Sequence, residues 1–254
     1  MIRADLLLVE LGLAPSRTNA QHLIDSGRVS VEIGGKRVPM TKPGQKFADG
    51  FSAFYITPDP ADRFVSRGGL KMVGALAETG LSVAGMSVLD VGQSTGGFTD
   101  CVLQSGAESV VGVDVGHDQL AARLRGDARV RYFEGVNARA LDRSALLAAN
   151  RDRPFDLIVC DVSFISLTLV LPSALALLAE GGYLLSLVKP QFEVGREGIG
   201  RGGIVRDARL YDGVRRKIGD AVTAEGLQVL KWFDSPITGG DGNREFFIFA
   251  RKGR

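Results

Sequence analysis

Apolar and polar positions alternate along this 254-residue chain in two different rhythms. Ala4–Leu11 carries leucines at 7, 8 and 11, the spacing of one helical face, and stops at Gly12. Ser16 can cap a second helix, Arg17–Ser26, with Ala20, Leu23 and Ile24 on one side and Gly27 at its end. Val29–Ile33, the Gly34-Gly35 turn and Arg37-Val38 read as a β-hairpin, and Phe51–Ile56 as a last strand. Thr57–Asp62, with Pro58 and Pro60, reads as a linker. Two small helices and a hairpin bury little, so this unit is expected to lean on a neighbour.

Past the linker, strands alternate with helices. A helix is expected over Leu70–Thr79, a strand over Ser87–Val91 and a helix from Gly97 onward. Strands follow at Val110–Val113, Val130–Phe133 and Leu157–Cys160, then a helix over Leu169–Ala179. A Gly181-Gly182 turn leads into a strand, Tyr183–Val188. The glycine-rich stretch Gly195–Asp207 is expected as a mobile cover rather than core. A helix over Ala208–Glu225 and strands at Gln228–Phe233 and Glu245–Ala250 complete the pattern. Alternation of this kind gives a parallel sheet. The tight Gly239–Asn243 turn makes the last two strands antiparallel. The expected class is α/β: a Rossmann-like sheet of seven strands, one antiparallel, behind a small N-terminal α+β unit.

Composition adds mainly exclusions. Apolar content is that of an ordinary globular protein. The net charge of +2 does not announce nucleic acid, so a basic face would have to come from spatial clustering. Cys101 and Cys160 fall in apolar segments without metal spacing, which points to buried reduced thiols, no metal and the cytosol. Asp5 and Glu10 interrupt the first apolar run, so no signal peptide is expected. The best membrane candidate, Leu167–Ala179, contains Pro172 and ends at Glu180, so no membrane association is expected.

The chemistry concentrates where the Ser87–Val91 strand breaks into a glycine turn and a helix. Ligands sit at the carboxyl end of such strands. The pattern Asp90-x-Gly92-x-x-x-Gly96-Gly97 departs from the dinucleotide fingerprint G-x-G-x-x-G. It resembles the first motif of class I S-adenosylmethionine (SAM) methyltransferases; an ordinary glycine turn gives the same pattern. In those enzymes the acid holds the amino end of the methionine, and the glycines let the backbone approach the cofactor. Asp114 closes the next strand, ~20 residues on, where an acid can accept from ribose hydroxyls. Glu134 and Asn137 could border the adenine. The resemblance implies SAM contacts from Asp90, Gly92, Gln93, Ser94, Thr95, Gly96, Gly97, Phe98, Asp114, Val115, Asn137 and Asp161. Lys71 sits in the first turn of its helix, where a cation is unfavourable; it is either a functional group or a plain surface lysine.

Residues 1–60 show the order Arg3-x-Asp5-x-Leu7, then Ser16-Arg17-x-x-Ala20-x-x-Leu23-Ile24-x-x-Gly27-x-Val29-x-Val31, then Gly35, Val38 and Lys42-Pro43-Gly44. This resembles the αL RNA-binding domain of a small-subunit ribosomal protein, pseudouridine synthases and tyrosyl-tRNA synthetase. The resemblance implies RNA contacts from Arg3, Arg17, Arg28, Lys36, Arg37, Lys42 and Lys46, with Arg67 beyond the linker. Such cations add sequence-independent affinity through counterion release. A plain solvated surface is the other reading, because acids nearly balance bases.

Five further motifs extend the resemblance to nearly the whole chain. They are Ser66-Arg-Gly-Gly-Leu-Lys71, Asp90-Val-Gly-Gln-Ser-Thr-Gly-Gly-Phe-Thr-Asp100, Asp161-Val-Ser-Phe-Ile-Ser-Leu167, Leu187-Val-Lys-Pro-Gln-Phe-Glu193 and Gly242-Asn-Arg-Glu-Phe246. Together they are similar to the TlyA family, whose members are named both haemolysins and rRNA cytidine 2′-O-methyltransferases. Gln93, where the family has Ala, is the one departure and is expected to narrow the methionine pocket. The resemblance implies an FtsJ-like methyltransferase domain over 61–254 and a Lys-Asp-Lys-Glu tetrad of Lys71, Asp161, Lys189 and Glu245. Ribose methylation suits such a set. The 2′-hydroxyl is a weak acid, in-line displacement depends on alignment, and a positioned base adds roughly 10²–10⁴-fold. Lys189 is expected as that base, a second lysine lowering its pKa, or as the cation holding the alkoxide, with Asp161 orienting it. Lys71 and Glu245 would position the ribose. Asp161-Val-Ser-Phe164 lacks the prolines of exocyclic-amine methyltransferases, and Cys160 should point away from Asp161. Phe164 could stack a splayed base or pack in the core. The implied protein is a cytosolic, SAM-dependent rRNA cytidine 2′-O-methyltransferase whose partners are rRNA or ribosomal subunits. A non-catalytic RNA-binding assembly factor and a haemolysin are the alternatives.

Overall fold

The structure, a computed structural model, describes residues 1–14 and 16–253. The chain divides into two compact units, Met1–Asp62 and a second beginning at Arg63.

In the first unit the elements run β1 (Ile2–Arg3), α1 (Ala4–Glu10), α2 (Arg17–Asp25), β2 (Val29–Ile33), β3 (Lys36–Pro39), β4 (Lys46–Phe47) and β5 (Phe54–Ile56). Ser16 accepts from the Asn19 backbone N–H at 3.2 Å, a side-chain cap on α2. β3, β2 and β5 form an antiparallel sheet, and β1 pairs with β4. Leu7, Leu8, Ile24, Val29, Val31, Met40 and Phe54 make the core. The last strand begins at Phe54, later than expected, because Phe51 turns in to stack on Phe47 at 4.6 Å.

In the second unit the elements run α3 (Gly68–Thr79), β6 (Ser87–Val91), α4 (Gly97–Gln104), β7 (Ser109–Val113), α5 (Ala122–Arg125), β8 (Val130–Phe133), α6 (Arg143–Ala149), β9 (Phe155–Cys160), α7 (Leu171–Leu175), β10 (Leu178–Val188), α8 (Arg209–Ala224), β11 (Leu227–Asp234) and β12 (Phe246–Lys252). Seven strands form one sheet in the order β11-β12-β10-β9-β6-β7-β8, parallel except for β12, which is antiparallel to both neighbours. Successive side chains on a strand face opposite ways. Leu89, Val91, Ile158 and Leu184 therefore pack on one face with Ile218 of α8. Val88, Leu157, Val159 and Leu185 pack on the other with Met72 of α3 and Val102 of α4. Burial on both faces is why these strands read as continuous apolar runs. The chain goes from β6 outward to β7 and β8, then returns to add β9 on the opposite side, so the switch point lies between β6 and β9. A crevice opens there, beyond the strands' carboxyl ends.

Three expectations need correction. The helix expected over Leu169–Ala179 is only Leu171–Leu175, and the chain is already strand at Leu178. A short apolar run fits a buried helix or a buried strand equally well, and pairing of Leu178 with Phe155 decides for strand. Gly181-Gly182 is no turn but an irregularity within β10, with Gly181 at φ 75°. The Gly195–Asp207 stretch is not wholly a loose cover either. Val205 is buried, and the Asn243 side chain accepts from its N–H at 3.0 Å while donating to Gly203 O at 3.0 Å.

Candidate active site

The β6–α4 turn is built by close approach. Gly92 has φ 84°, and a Cβ there would lie 2.6 Å from the backbone oxygen of Asp161. At Gly97 a Cβ would lie 2.4 Å from Ser66 Oγ and 2.9 Å from Gly69 N. The glycines of the Ser66–Lys71 and Asp90–Asp100 motifs thus let the start of α3 abut the start of α4.

Asp90 is buried at the end of β6. One carboxylate oxygen accepts from Thr99 N at 3.0 Å and Thr99 Oγ1 at 2.6 Å; Oδ1 has no partner. Burial, with Asp161 and Asp114 nearby, pushes this carboxyl up to about 7. Asp114 directly follows β7 and accepts from Ser94 N and Gly116 N, each at 2.7 Å. Two cavities meet at this turn. One of about 680 Å³ is lined by Asp114, Val115, Asn137, Val162 and Phe164. The other, about 280 Å³, is lined by Arg67, Lys71, Gln93, Thr95, Gly97, Phe98 and Lys189. Gly92, Ser94, Asp161 and Ser163 line both.

Several of the expected residues also have local partners. At Gly96, φ 91°, a Cβ would strike Leu124 at 2.3 Å and Leu120 at 2.8 Å, so packing behind the turn requires glycine. Gln93 lines the narrower cavity, its side chain packed against Gly112 and donating to Thr99 Oγ1 at 2.9 Å. Glu134 is occupied by Asp118 N at 3.0 Å. Thr99, which holds Asp90, escaped the sequence reading, although its position in the first turn after Gly97 aims it back at β6.

Lys71, Asp161, Lys189 and Glu245 come together as two ion pairs. Lys71 Nζ lies 2.6 Å from Glu245 Oε2, and Lys189 Nζ lies 2.6 Å from Asp161 Oδ1. Lys189 also donates to Ser163 Oγ at 2.7 Å, a contact unforeseen from the sequence. Glu245 is buried just ahead of β12. Burial raises its carboxyl pKa; Lys71, then Lys189, oppose that, and Asp161 adds to it, so the two pairs sense each other. The dipole cost of Lys71 in the first turn of α3 is offset by this buried carboxylate. Lys71, Asp161 and Lys189 line the narrower cavity, with exposed Arg67 at its edge. Two lysines and two carboxylates gathered here can hold a hydroxyl, and a lysine in its neutral amine form can accept its proton.

Cys160 is 2 % exposed, and burial pushes its thiol up to about 12, which leaves no nucleophile there. Phe164 has no core role: it is 91 % exposed, at φ 64°, with its ring centroid 5.2 Å from that of Phe192.

In the first unit, several expected RNA contacts already have partners. Asp5 is fully buried and accepts from Arg3 (2.8 and 2.9 Å), Arg17 (3.0 Å) and Gln21 (2.8 Å). These donors, Arg3 foremost, hold its carboxyl far below the usual range. Arg28 donates to Thr57 O at 2.9 Å and pairs with Asp62 at 2.5 Å. Arg37 lies 3.7 Å over the Tyr55 ring. Lys36, Lys42 and Lys46 are exposed. Among the described residues no helix is long and apolar enough to cross a membrane.

Residues 64–252 match the model of the FtsJ-like methyltransferases. The chain is 41% identical, over 98% of its length and 89% of the relative's, to the 16S/23S rRNA (cytidine-2′-O)-methyltransferase TlyA of Mycobacterium tuberculosis. A solved structure named "Putative hemolysin from Streptococcus thermophilus" superposes with TM-score 0.76 at 41% identity, covering 99% of this chain and 88% of the other. An S-adenosylmethionine-dependent methyltransferase from Mesorhizobium loti shares the fold at TM-score 0.51 and 17% identity, over 72% of this chain and 98% of the other.

Proposed function

This chain belongs to the TlyA group of the FtsJ-like methyltransferase family, and from that premise we propose that it methylates the 2′-hydroxyl of a cytidine in ribosomal RNA. SAM is the methyl donor of this fold and family. The residues present fit it. The unpartnered buried oxygen of Asp90 suits the ammonium of its methionine end. The larger cavity, with Asp114, Val115 and Asn137 on its wall, suits the adenosine end. Bound there, SAM supplies an electrophilic methyl group on a sulfonium.

The chain's own residues do the rest. Lys189, held by Asp161 and Ser163, accepts the 2′-hydroxyl proton in its neutral amine form, and the ammonium so formed stays beside the alkoxide oxygen. Lys71 and Glu245 fix the ribose beside it and tune the local charge. With the hydroxyl aligned in line, orientation supplies much of the rate. Phe164 offers an exposed ring face to a splayed base. The αL-type unit grips RNA phosphates through Lys36, Lys42 and Lys46, its exposed lysines, while Arg3, Arg17 and Arg28 brace its fold. Such a protein works in the cytoplasm, where ribosomes are assembled.

The observation that carries this reading is the convergence of two lysine–carboxylate pairs beside the Gly92 turn. Lys189→Ala tests it. Methyl transfer to rRNA should be lost while RNA affinity and SAM affinity persist. A variant as active as wild type would refute the assignment.

A further inference from the structure

Glu193 takes no part in the chemistry above, yet it is charged and buried, its side chain 2 % exposed. Its carboxylate accepts from Ser166 Oγ at 2.6 Å, Leu167 N at 2.7 Å and Lys217 Nζ at 2.8 Å. Lys217 also donates to the Glu193 backbone oxygen at 3.1 Å. A carboxylate this deep is tolerated only when paired and fully hydrogen-bonded. The place it occupies explains why one is there.

Glu193 closes the short turn that begins at Lys189: Phe192 N bonds to Lys189 O and Glu193 N to Pro190 O, both at 2.9 Å. Ser166 and Leu167 end the loop that begins at Asp161. One side chain therefore ties the segment after β10, which carries Lys189, to the segment after β9, which carries Asp161 and Ser163. Phe164 and Phe192 touch across the same two segments. Phe164 keeps a left-handed backbone, φ 64°, unfavourable for an aromatic residue; such strain persists where the surroundings over-determine it.

We propose that Glu193, neutralised by Lys217 of α8, is a positioning residue for methyl transfer: it sets the two strand ends at the separation that brings Lys189 onto Asp161 and Ser163 and holds Phe164 outward. This rests on the assignment of Lys189 as the reactive amine. A charged acceptor is suited to the task because it binds all three donors at once and more strongly than a neutral one. Glu193 is the last residue of the Leu187–Glu193 motif, which also carries Lys189, and no step of the reaction uses Glu193 directly.

The test uses the full chain and three variants, Glu193→Ala, Glu193→Gln and Lys217→Met. Steady-state methyl transfer gives kcat and KM. Acetic anhydride labelling of the ligand-free protein, read at Lys189 by mass spectrometry, reports on the pair without any catalysis. Thermal melts fix the folded fraction. Glu193→Ala should lower kcat by about tenfold to a hundredfold, the scale of an ångström-level misplacement, with smaller changes in KM. Lys189 should label faster. Glu193→Gln, which keeps the shape and one acceptor, should recover part of both, and Lys217→Met should fall between; these two serve if the alanine variant does not fold. A folded variant set with kcat per folded molecule within roughly twofold of wild type, or with unaltered Lys189 labelling, overturns the proposal. If the wild type itself transfers no methyl, the methyltransferase reading falls, and labelling still decides whether Glu193 sets Lys189.

Discussion

Lys71→Met removes an ammonium while keeping an apolar stem of similar length, and leaves Glu245 buried without its closest partner. The pair is 2.6 Å apart, with side chains 11 % and 3 % exposed, so solvent screens it little. In the wild type burial pushes the Glu245 carboxyl upward and Lys71 is the main opposing influence. Without Lys71 the carboxyl rises further. A carboxyl with a raised folded pKa stabilises most below its unfolded pKa, and that share is lost as pH climbs to the folded value. The damage should therefore grow with pH. Breaking a buried pair costs about 3–5 kcal/mol when the remaining partner stays charged. At pH 5 Glu245 can instead take a proton, for about 1 kcal/mol given an unfolded pKa near 4.3. For a unit of this size each kcal/mol moves Tm by about 2–4 °C, so the loss should be about 6 °C or more at pH 8 and about 2–4 °C at pH 5. Calorimetric melts at both pH values measure it. Adding Glu245→Gln removes the stranded charge and should restore most of the pH 8 loss. Equal losses at pH 5 and pH 8, or a double variant no better than Lys71→Met, would refute the coupling.

Other consequences follow from the same geometry. Because burial holds the Asp90 carboxyl at about 7, binding of the SAM ammonium should weaken as pH falls below that value, by up to about tenfold per pH unit. Titration calorimetry with S-adenosylhomocysteine checks this; Asp90→Asn should bind weakly and flatly across pH, and a flat wild-type profile would count against the role given to Asp90. Alanine at Lys36 or Lys42 should each lower the slope of log affinity against log salt for rRNA by about 1, with Tm unchanged. Arg28→Ala should instead lower the melting temperature of the Met1–Asp62 unit, since it loses Thr57 and Asp62; the reverse pattern would exchange the two roles.

Where local pattern and tertiary structure agree, the chain is legible. Ser87–Val91 reads as a strand because both its faces are covered, and Gly97 starts α4 as expected because only glycine admits Ser66 and Gly69 so closely. The four charged residues were legible because the resemblance singles them out and each stands at the end of an element: Asp161 and Lys189 follow strands, Glu245 precedes one and Lys71 lies in the first turn of a helix. Distant pairing is what local pattern hides. Leu178 becomes strand only because Phe155 lies beside it. Arg3 and Arg17 looked like free cations, and nothing in their spacing announces that Asp5 collects both. Glu193 lies inside a motif that resemblance had flagged, but its partners, Ser166, Leu167 and Lys217, come from two other segments.

The central claim, that this crevice presents a ribose hydroxyl to a sulfonium methyl, is tested most directly on the product. Ribosomal RNA incubated with the protein and isotope-labelled SAM is digested to nucleosides and analysed by mass spectrometry. The account predicts label on the ribose of cytidine. Label confined to a base, or none at all with folded protein that binds SAM, would contradict it.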